Sequence, residues 1–290
     1  MSSGYFSILR IPHYLKNVYV FLPIFFSGQI LNTKQLAVTT ITFFSFCLAA
    51  SAIYILNDIQ DVAYDKLHPV KKLRAIPAGL VSIRFCYFLL AMLSVASLAI
   101  ALLVSVKLAA IILLYCALNV CYCLGLKNIA IVDVAVISIG FVLRVVAGGV
   151  ATGIVISHWL IIMVFLLSMF QALTKRMDDI YLIELDANSQ SRKSLAGYNL
   201  DFLQIAVSML SGVLLVCYIM YIVQPDIIAR LGANSYGSTF FVLLGLLRYL
   251  QLTFVRKATG SPVKVLLNDK FIQFCIFCWV SVFAILIYFK

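Results

Sequence analysis

Residues 36–65 read LAVTTITFFSFCLAASAIYILNDIQDVAYD, an uncharged apolar run that passes without a break into NDIQDVAYD at 57–65. At about 1.5 Å per residue, a helix over 36–57 matches the ~30 Å hydrocarbon core of a bilayer. The stretch therefore reads as a membrane-spanning helix that ends in acid. Asp58, Asp61 and Asp65 are three of only 11 Asp and Glu residues in the chain. At helical spacing Asp61 and Asp65 share a face, Asn57 lies one turn further back, and Asp58 is on the neighbouring row. Like charges this close repel unless a cation neutralises them. Hard oxygen donors suit Mg²⁺, which takes one or two carboxylates and completes its shell with water and substrate phosphate. The expectation is a metal–diphosphate site at the mouth of a membrane bundle, with Asp58, Asp61 and Asp65 as metal ligands.

The rest of the chain continues the pattern. It is 64% hydrophobic and 11% charged, with a mean hydropathy of +1.08. The reading is an all-α, polytopic membrane bundle of about nine transmembrane helices, forming one transmembrane catalytic domain over 1–290. The spans fall near 18–31, 36–57, 83–105, 108–125, 129–151, 158–175, 202–223, 238–255 and 270–288. The alternating segments of a membrane β-barrel are absent. No short apolar core with a small-residue cleavage site opens the chain, so no removable signal is expected. Pro23 should kink the first span. The eight cysteines are scattered and read as apolar packing, and His13, His68 and His158 are not spaced as zinc ligands.

Lys and Arg are distributed unevenly between the two sides. One side collects Arg10, Lys16, Lys66, Lys71, Lys72, Arg74, Arg84, Lys127, Lys175, Arg176, Arg192, Lys193, Arg256, Lys257, Lys264 and Lys270; the other holds Lys34, Lys107, Arg230 and Lys290. By the positive-inside rule the rich side, and with it the N-terminus, is cytoplasmic. The expected location is the inner membrane, with the active site on its cytoplasmic face. The net charge of +11 then belongs to one membrane face, and no nucleic-acid partner is expected.

Two long loops are expected on that face, at 58–82 and 176–201. In the first, Lys71, Lys72 and Arg74 follow the carboxylates closely. Alone they would read as a basic patch on anionic lipid. Beside three Asp they suit a metal-bound diphosphate, whose free oxygens they would bind. In the second, Lys175, Arg176, Asp179, Arg192 and Lys193 are candidates for substrate contact, while Glu184 and Asp186 read as a solvated connection. Arg144 lies deep in the fifth span, where a cation marks a site facing the bundle interior. Its partner is either Asp133, brought by another helix, or a substrate phosphate. Gly148 and Gly149 beside it permit close helix approach. Arg248 invites the same argument or snorkels to the inner face. Lys16 and Asn17 open the first span at the interface.

The NDxxDxxxD block after the second span resembles the UbiA-type membrane prenyltransferase superfamily, and finer details resemble its decaprenyl-phosphate phosphoribosyltransferases. The resembling stretches are LKNVYVFLPIFFSG at 15–28, SAIYILNDIQDVAYDKLHPVKKLRAIPAG at 51–79, YCLGLKN at 122–128, LRVVAGGVAT at 143–152, KR at 175–176 and RKSLAGY at 192–198. Where other relatives carry a second Asp-rich motif, this chain reads KRMDDIYLIELD, and Ala75 departs from an Arg-Pro pair frequent in relatives. The resemblance implies Mg²⁺-dependent transfer of phosphoribosyl from phosphoribosyl diphosphate (PRPP) to a polyprenyl phosphate, with diphosphate released. It implies catalytic roles for Asp58, Asp61, Lys71 and Arg74. Substrate-binding roles fall to Lys16, Asn57, Lys72, Lys127, Arg144, Lys175, Arg176, Arg192, Lys193 and Tyr198. The expected partners are PRPP, the lipid phosphate and the membrane, and a homo-oligomer is compatible with the reading. The alternatives are an aromatic prenyltransferase using the same Asp block for a prenyl diphosphate, a transporter, and a non-catalytic lipid-binding subunit.

Overall fold

A computed structural model describes residues 7–67, 71–185, 193–256 and 262–288. Among these, every regular element is helical. A 3-10 helix over Ile11–Phe21 is followed by α1 (Leu22–Phe26), α2 (Thr33–Gln60), α3 (Val62–Leu67), α4 (Ile83–Val104), α5 (Val106–Leu124), α6 (Val132–Thr152), α7 (His158–Leu185), α8 (Leu200–Ile222), α9 (Pro225–Leu231), α10 (Ser238–Phe254), α11 (Pro262–Asn268) and α12 (Lys270–Tyr288). Among the described residues, eight helices are long and apolar enough to cross a membrane, so the chain is an integral membrane protein.

The first of the nine expected spans takes a different form. Residues 18–31 do not make one α-helix: the 3-10 helix runs to Phe21, α1 ends at Phe26, and Gly28 turns the chain at φ 76°. Pro12 and Pro23 each withhold an amide from an α-helical ladder. At about 2.0 Å per residue a 3-10 helix is long for its residue count, so this segment and α1 together still approach the ~30 Å of a hydrocarbon core. The expected 176–201 loop also starts later, because α7 continues through Leu185. Met177 and Tyr181, four apart and both buried, give that extension an apolar face, and no Gly or Pro interrupts it.

Two compact units are present: 1–156 with 186–194, and 157–185 with 195–290. In the first, α2 packs on α4, α5, α6 and the 3-10 helix. Val20, Phe46, Ala49, Leu108, Ile112, Tyr115 and Ala147 form one core cluster. Ile8, Ala52, Ile55, Ile76, Cys86 and Leu93 form another beneath the acidic end of α2. Ser45 and Ser97 each donate to the other's carbonyl at 2.8 Å, a reciprocal polar clasp between α2 and α4. The expected close approach at Gly148 is present: a Cβ there would lie 2.1 Å from the Val20 carbonyl oxygen. Only glycine lets α6 lie against the 3-10 helix at this point.

In the second unit, α7 packs on α8, and α10 on α8 and α12. Trp279 Nε1 donates to the Tyr218 hydroxyl at 2.8 Å, which lies 2.6 Å from Ser238 Oγ. Arg248 grips Asp269 through Nε and Nη2, at 3.1 and 2.7 Å to Oδ2, and Asp269 Oδ1 caps α12 at the Ile272 amide. Arg248 therefore has a carboxylate partner and acts as a strut of this unit.

Candidate active site

The acidic block straddles a helix break. α2 ends at Gln60, Asp61 leaves helical geometry at ψ 2°, and α3 resumes at Val62. Asn57 Nδ2 donates to Asp61 Oδ2 at 2.9 Å, the i,i+4 contact expected from the spacing. Asp65 does not join that pair. The break turns it, and Arg74 Nη1 donates both to Asp65 Oδ2 at 2.5 Å and to Asp58 Oδ1 at 3.2 Å. Asp61 instead takes Lys127, whose Nζ lies 2.6 Å from Oδ1. Lys127 comes from the 3-10 turn Leu126–Asn128 behind α5. Cys123, one turn earlier, approaches Asn57 Oδ1 at 3.7 Å.

Arg10 completes the group, and nothing in the local sequence foretold it. Its guanidinium pairs with Asp58 and lies 5.0 Å over the Tyr54 ring. Its backbone sits at φ 51°, ψ 44°, the left-handed region that non-glycine residues seldom occupy. The segment is fastened to α2 by Ser51, whose Oγ donates to the Leu9 carbonyl at 2.8 Å and lies 2.9 Å from the Tyr14 hydroxyl. Arg10, Asp58, Arg74, Ser7 and Ile76 border a cavity of about 120 Å³.

Deeper in the same unit, Arg144 is buried on α6. Its Nε donates to Asn17 Oδ1 at 2.7 Å, Nη1 to the Gly140 carbonyl at 2.7 Å, and Nη2 to the Tyr115 hydroxyl at 3.1 Å. The rings of Phe46, Tyr115 and Phe141 surround it at 4.8–5.7 Å. Asp133 is not among its contacts; that carboxylate accepts from the Val134 amide. Lys16, half-buried, precedes Asn17 in the 3-10 helix. No carboxylate contacts Lys16 or Arg144 among the described residues.

The remaining expected residues are placed as follows. Lys72 is exposed in the short 3-10 turn Lys71–Leu73, and the Lys71 side chain lies outside the described part. In the second unit, Lys175 is exposed on α7, while Arg176 is buried and pairs with Asp179 at 3.0 Å. Tyr198 is buried and stacks on Phe202 with centroids 6.1 Å apart. Lys193 begins a 3-10 turn with its side chain outside the described part, and Arg192 lies outside the described residues altogether.

Among the described residues, no three His, Cys, Asp or Glu side chains group closely enough to hold a metal. Asp58 and Asp65 nevertheless turn oxygens onto one positive nitrogen of Arg74. The donor set fits Mg²⁺, which needs only one or two carboxylates when phosphate oxygens complete its shell.

Residues 20–276 match the model of the UbiA prenyltransferase family. The chain is 32% identical to the decaprenyl-phosphate phosphoribosyltransferase of Mycolicibacterium smegmatis, over 99% of this chain and 93% of the relative. It is 31% identical to the protein of the same description from Corynebacterium glutamicum, over 99% and 88%. A solved UbiA homolog from Archaeoglobus fulgidus bound to GPP and Mg²⁺ superposes with a TM-score of 0.73 at 16% identity, covering 98% of this chain and 99% of that one. At that identity the likeness is one of fold.

Proposed function

The chain belongs to the UbiA prenyltransferase family, and from that premise we propose that it transfers the phosphoribosyl group of PRPP to a polyprenyl phosphate in a Mg²⁺-dependent reaction that releases diphosphate. The observation that carries this reading is Arg144, a buried cation of the first unit with no carboxylate against it, with half-buried Lys16 next to its partner Asn17 in the chain and an acidic cluster whose own charges are already paired. A prenyl diphosphate with a neutral aromatic acceptor brings one phosphorylated group, which the acidic cluster and its cations would hold. PRPP and a lipid phosphate bring three. A second, metal-free cation site suits a phosphate monoester remote from the leaving group. The names of the two bacterial relatives, decaprenyl-phosphate phosphoribosyltransferase, support a lipid phosphate and a phosphoribosyl group as the reacting partners.

In this reading the C1–O bond to diphosphate breaks and its electron pair leaves with diphosphate, while an oxygen of the lipid phosphate bonds to C1. The nucleophile is already ionised at neutral pH, so no general base is required. Asp58 and Asp65 would hold Mg²⁺, which when bound supplies neutralisation of the departing diphosphate, with Asp61 the further carboxylate of the site. Lys71, Lys72 and Arg74 bind diphosphate oxygens. Lys16 and Arg144 orient a phosphate monoester, and Asn57 holds Asp61 in place. Lys127 of the same unit is assigned to a further substrate contact. The polyprenyl tail lies along apolar helix surface, and the site faces the cytoplasm.

The test is purified protein incubated with Mg²⁺, polyprenyl phosphate and PRPP labelled in the ribose, with the lipid fraction counted. Label entering the lipid is expected. Transfer seen only from a prenyl diphosphate to an aromatic acceptor would replace this reading with aromatic prenylation.

A further inference from the structure

Four charged side chains of the first unit pair off to neutrality. Arg10 and Arg74 both donate to Asp58 Oδ1, and Arg74 also donates to Asp65 Oδ2. Both carboxylates are buried, and the two guanidiniums border the same small cavity. A divalent cation taking Asp58 and Asp65 must displace these guanidiniums, and it would leave the group with two uncompensated positive charges. Such an excess in a half-buried site is unfavourable unless an anion arrives with the metal. The reverse also holds: a diphosphate claiming Arg10 and Arg74 strips the carboxylates of their counter-ions. Arg10 adds a second, independent observation. It is held in left-handed backbone geometry and fastened through Leu9 to Ser51, seven residues before Asp58 on α2, so its guanidinium is aimed at this carboxylate by the fold.

We propose that Arg10 and Arg74 are interchangeable counter-ions of the site: in the free protein they occupy the carboxylates, and on substrate binding they pass to diphosphate oxygens as the metal takes Asp58 and Asp65. Metal and diphosphate then bind tightly only together. The consequence is a site that does not hold Mg²⁺ by itself and does not retain diphosphate once the metal has left. Arg10 is a positioning residue in the free state and a substrate ligand in the loaded one. The inference rests on the proposed metal–diphosphate site but not on the identity of the sugar donor.

The exchange makes a prediction of opposite sign for two affinities. Arg10→Gln removes a competitor of the metal and a ligand of the diphosphate. Mn²⁺ alone, followed by the free-ion signal in electron paramagnetic resonance, should bind the variant about tenfold more tightly than the parent. Labelled diphosphate at saturating Mg²⁺, followed by scintillation proximity, should bind it about tenfold more weakly. Arg74→Gln, acting on the same oxygen, should shift both affinities in the same senses and guards against misfolding of one variant. A purely structural role would weaken both affinities or neither, and Mn²⁺ bound no more tightly by either variant overturns the proposal. Opposite shifts in a protein that moves no label from PRPP would keep the exchange and lose the sugar donor. PRPP transfer with both affinities moving together would do the reverse.

Discussion

Replacing Arg144 separates a substrate-binding role from a structural one with unusual clarity, because its partners are all neutral. Three donors reach Asn17 Oδ1, the Gly140 carbonyl and the Tyr115 hydroxyl at 2.7, 2.7 and 3.1 Å. Hydrogen bonds from a charged donor contribute about 1.5–3 kcal/mol each. Against them stands the desolvation of a guanidinium with no carboxylate beside it, several kcal/mol for a buried ion. The two largely cancel, so Arg144→Ala should alter the stability of the ligand-free protein by only about 2 kcal/mol or less. A substrate phosphate that relies on this charge should lose about 3 kcal/mol of binding, on the order of a hundredfold. Arg144→Lys keeps the charge but not the planar fork, and cannot satisfy Asn17, Gly140 and Tyr115 together, so it should recover affinity only in part. Thermal unfolding in detergent and PRPP binding should be measured side by side on both variants. Unchanged affinity and turnover with a markedly lowered melting temperature would refute the reasoning and make Arg144 a strut.

Four further outcomes are expected. Asp58→Ala and Asp61→Ala should each abolish turnover in a protein that remains folded by circular dichroism, and a chelator should do the same to the parent; full activity in metal-free buffer would contradict the metal assignment. Lys16→Met should weaken PRPP binding while leaving thermal unfolding in detergent little changed, and unchanged affinity would remove Lys16 from the substrate contacts. Gly148→Ala should lower the melting temperature, since its Cβ would sit 2.1 Å from a backbone oxygen that no rotamer change can move, an overpacking penalty of about 1–3 kcal/mol. Arg248→Ala should lower the melting temperature without altering PRPP affinity, and the parent's share of that stability should fade in acid as pH falls through the Asp269 value, which the hydrogen bond from Arg248 holds below the ordinary carboxylate range.

Much of the architecture was legible in composition alone. An apolar run long enough to cross a bilayer must satisfy its backbone hydrogen bonds internally, which leaves the helix as its form. The helices α2, α4, α5, α6, α8, α10 and α12 accordingly begin and end within a few residues of their expected limits. The acidic block, its Asn57–Asp61 contact and the glycine at 148 could be read the same way, because each depends on spacing within one helix or on a single residue type. Run length could not say how the first span would be built, since Pro12 and Pro23 change the hydrogen-bonding ladder without changing hydropathy. It also could not show where α7 would stop, because a polar extension remains a good helix when two apolar side chains cover it.

The identity of each carboxylate's partner was decided only by the tertiary fold. Arg10 meets Asp58 across 48 residues, Lys127 meets Asp61 across 66, and Asn17 meets Arg144 across 127. Periodicity orders neighbours along one helix and carries no information about which distant helix will face it. The helix break at Asp61 then sends Asp65 toward Arg74 and Asp58 rather than toward Asp61. Sequence thus determined that this protein is a membrane bundle with a carboxylate cluster and an intramembrane cation. Packing alone determined that the cluster is neutralised by the chain's own arginines and lysine while Arg144 is not, because charge pairing depends on distance in space and not along the chain.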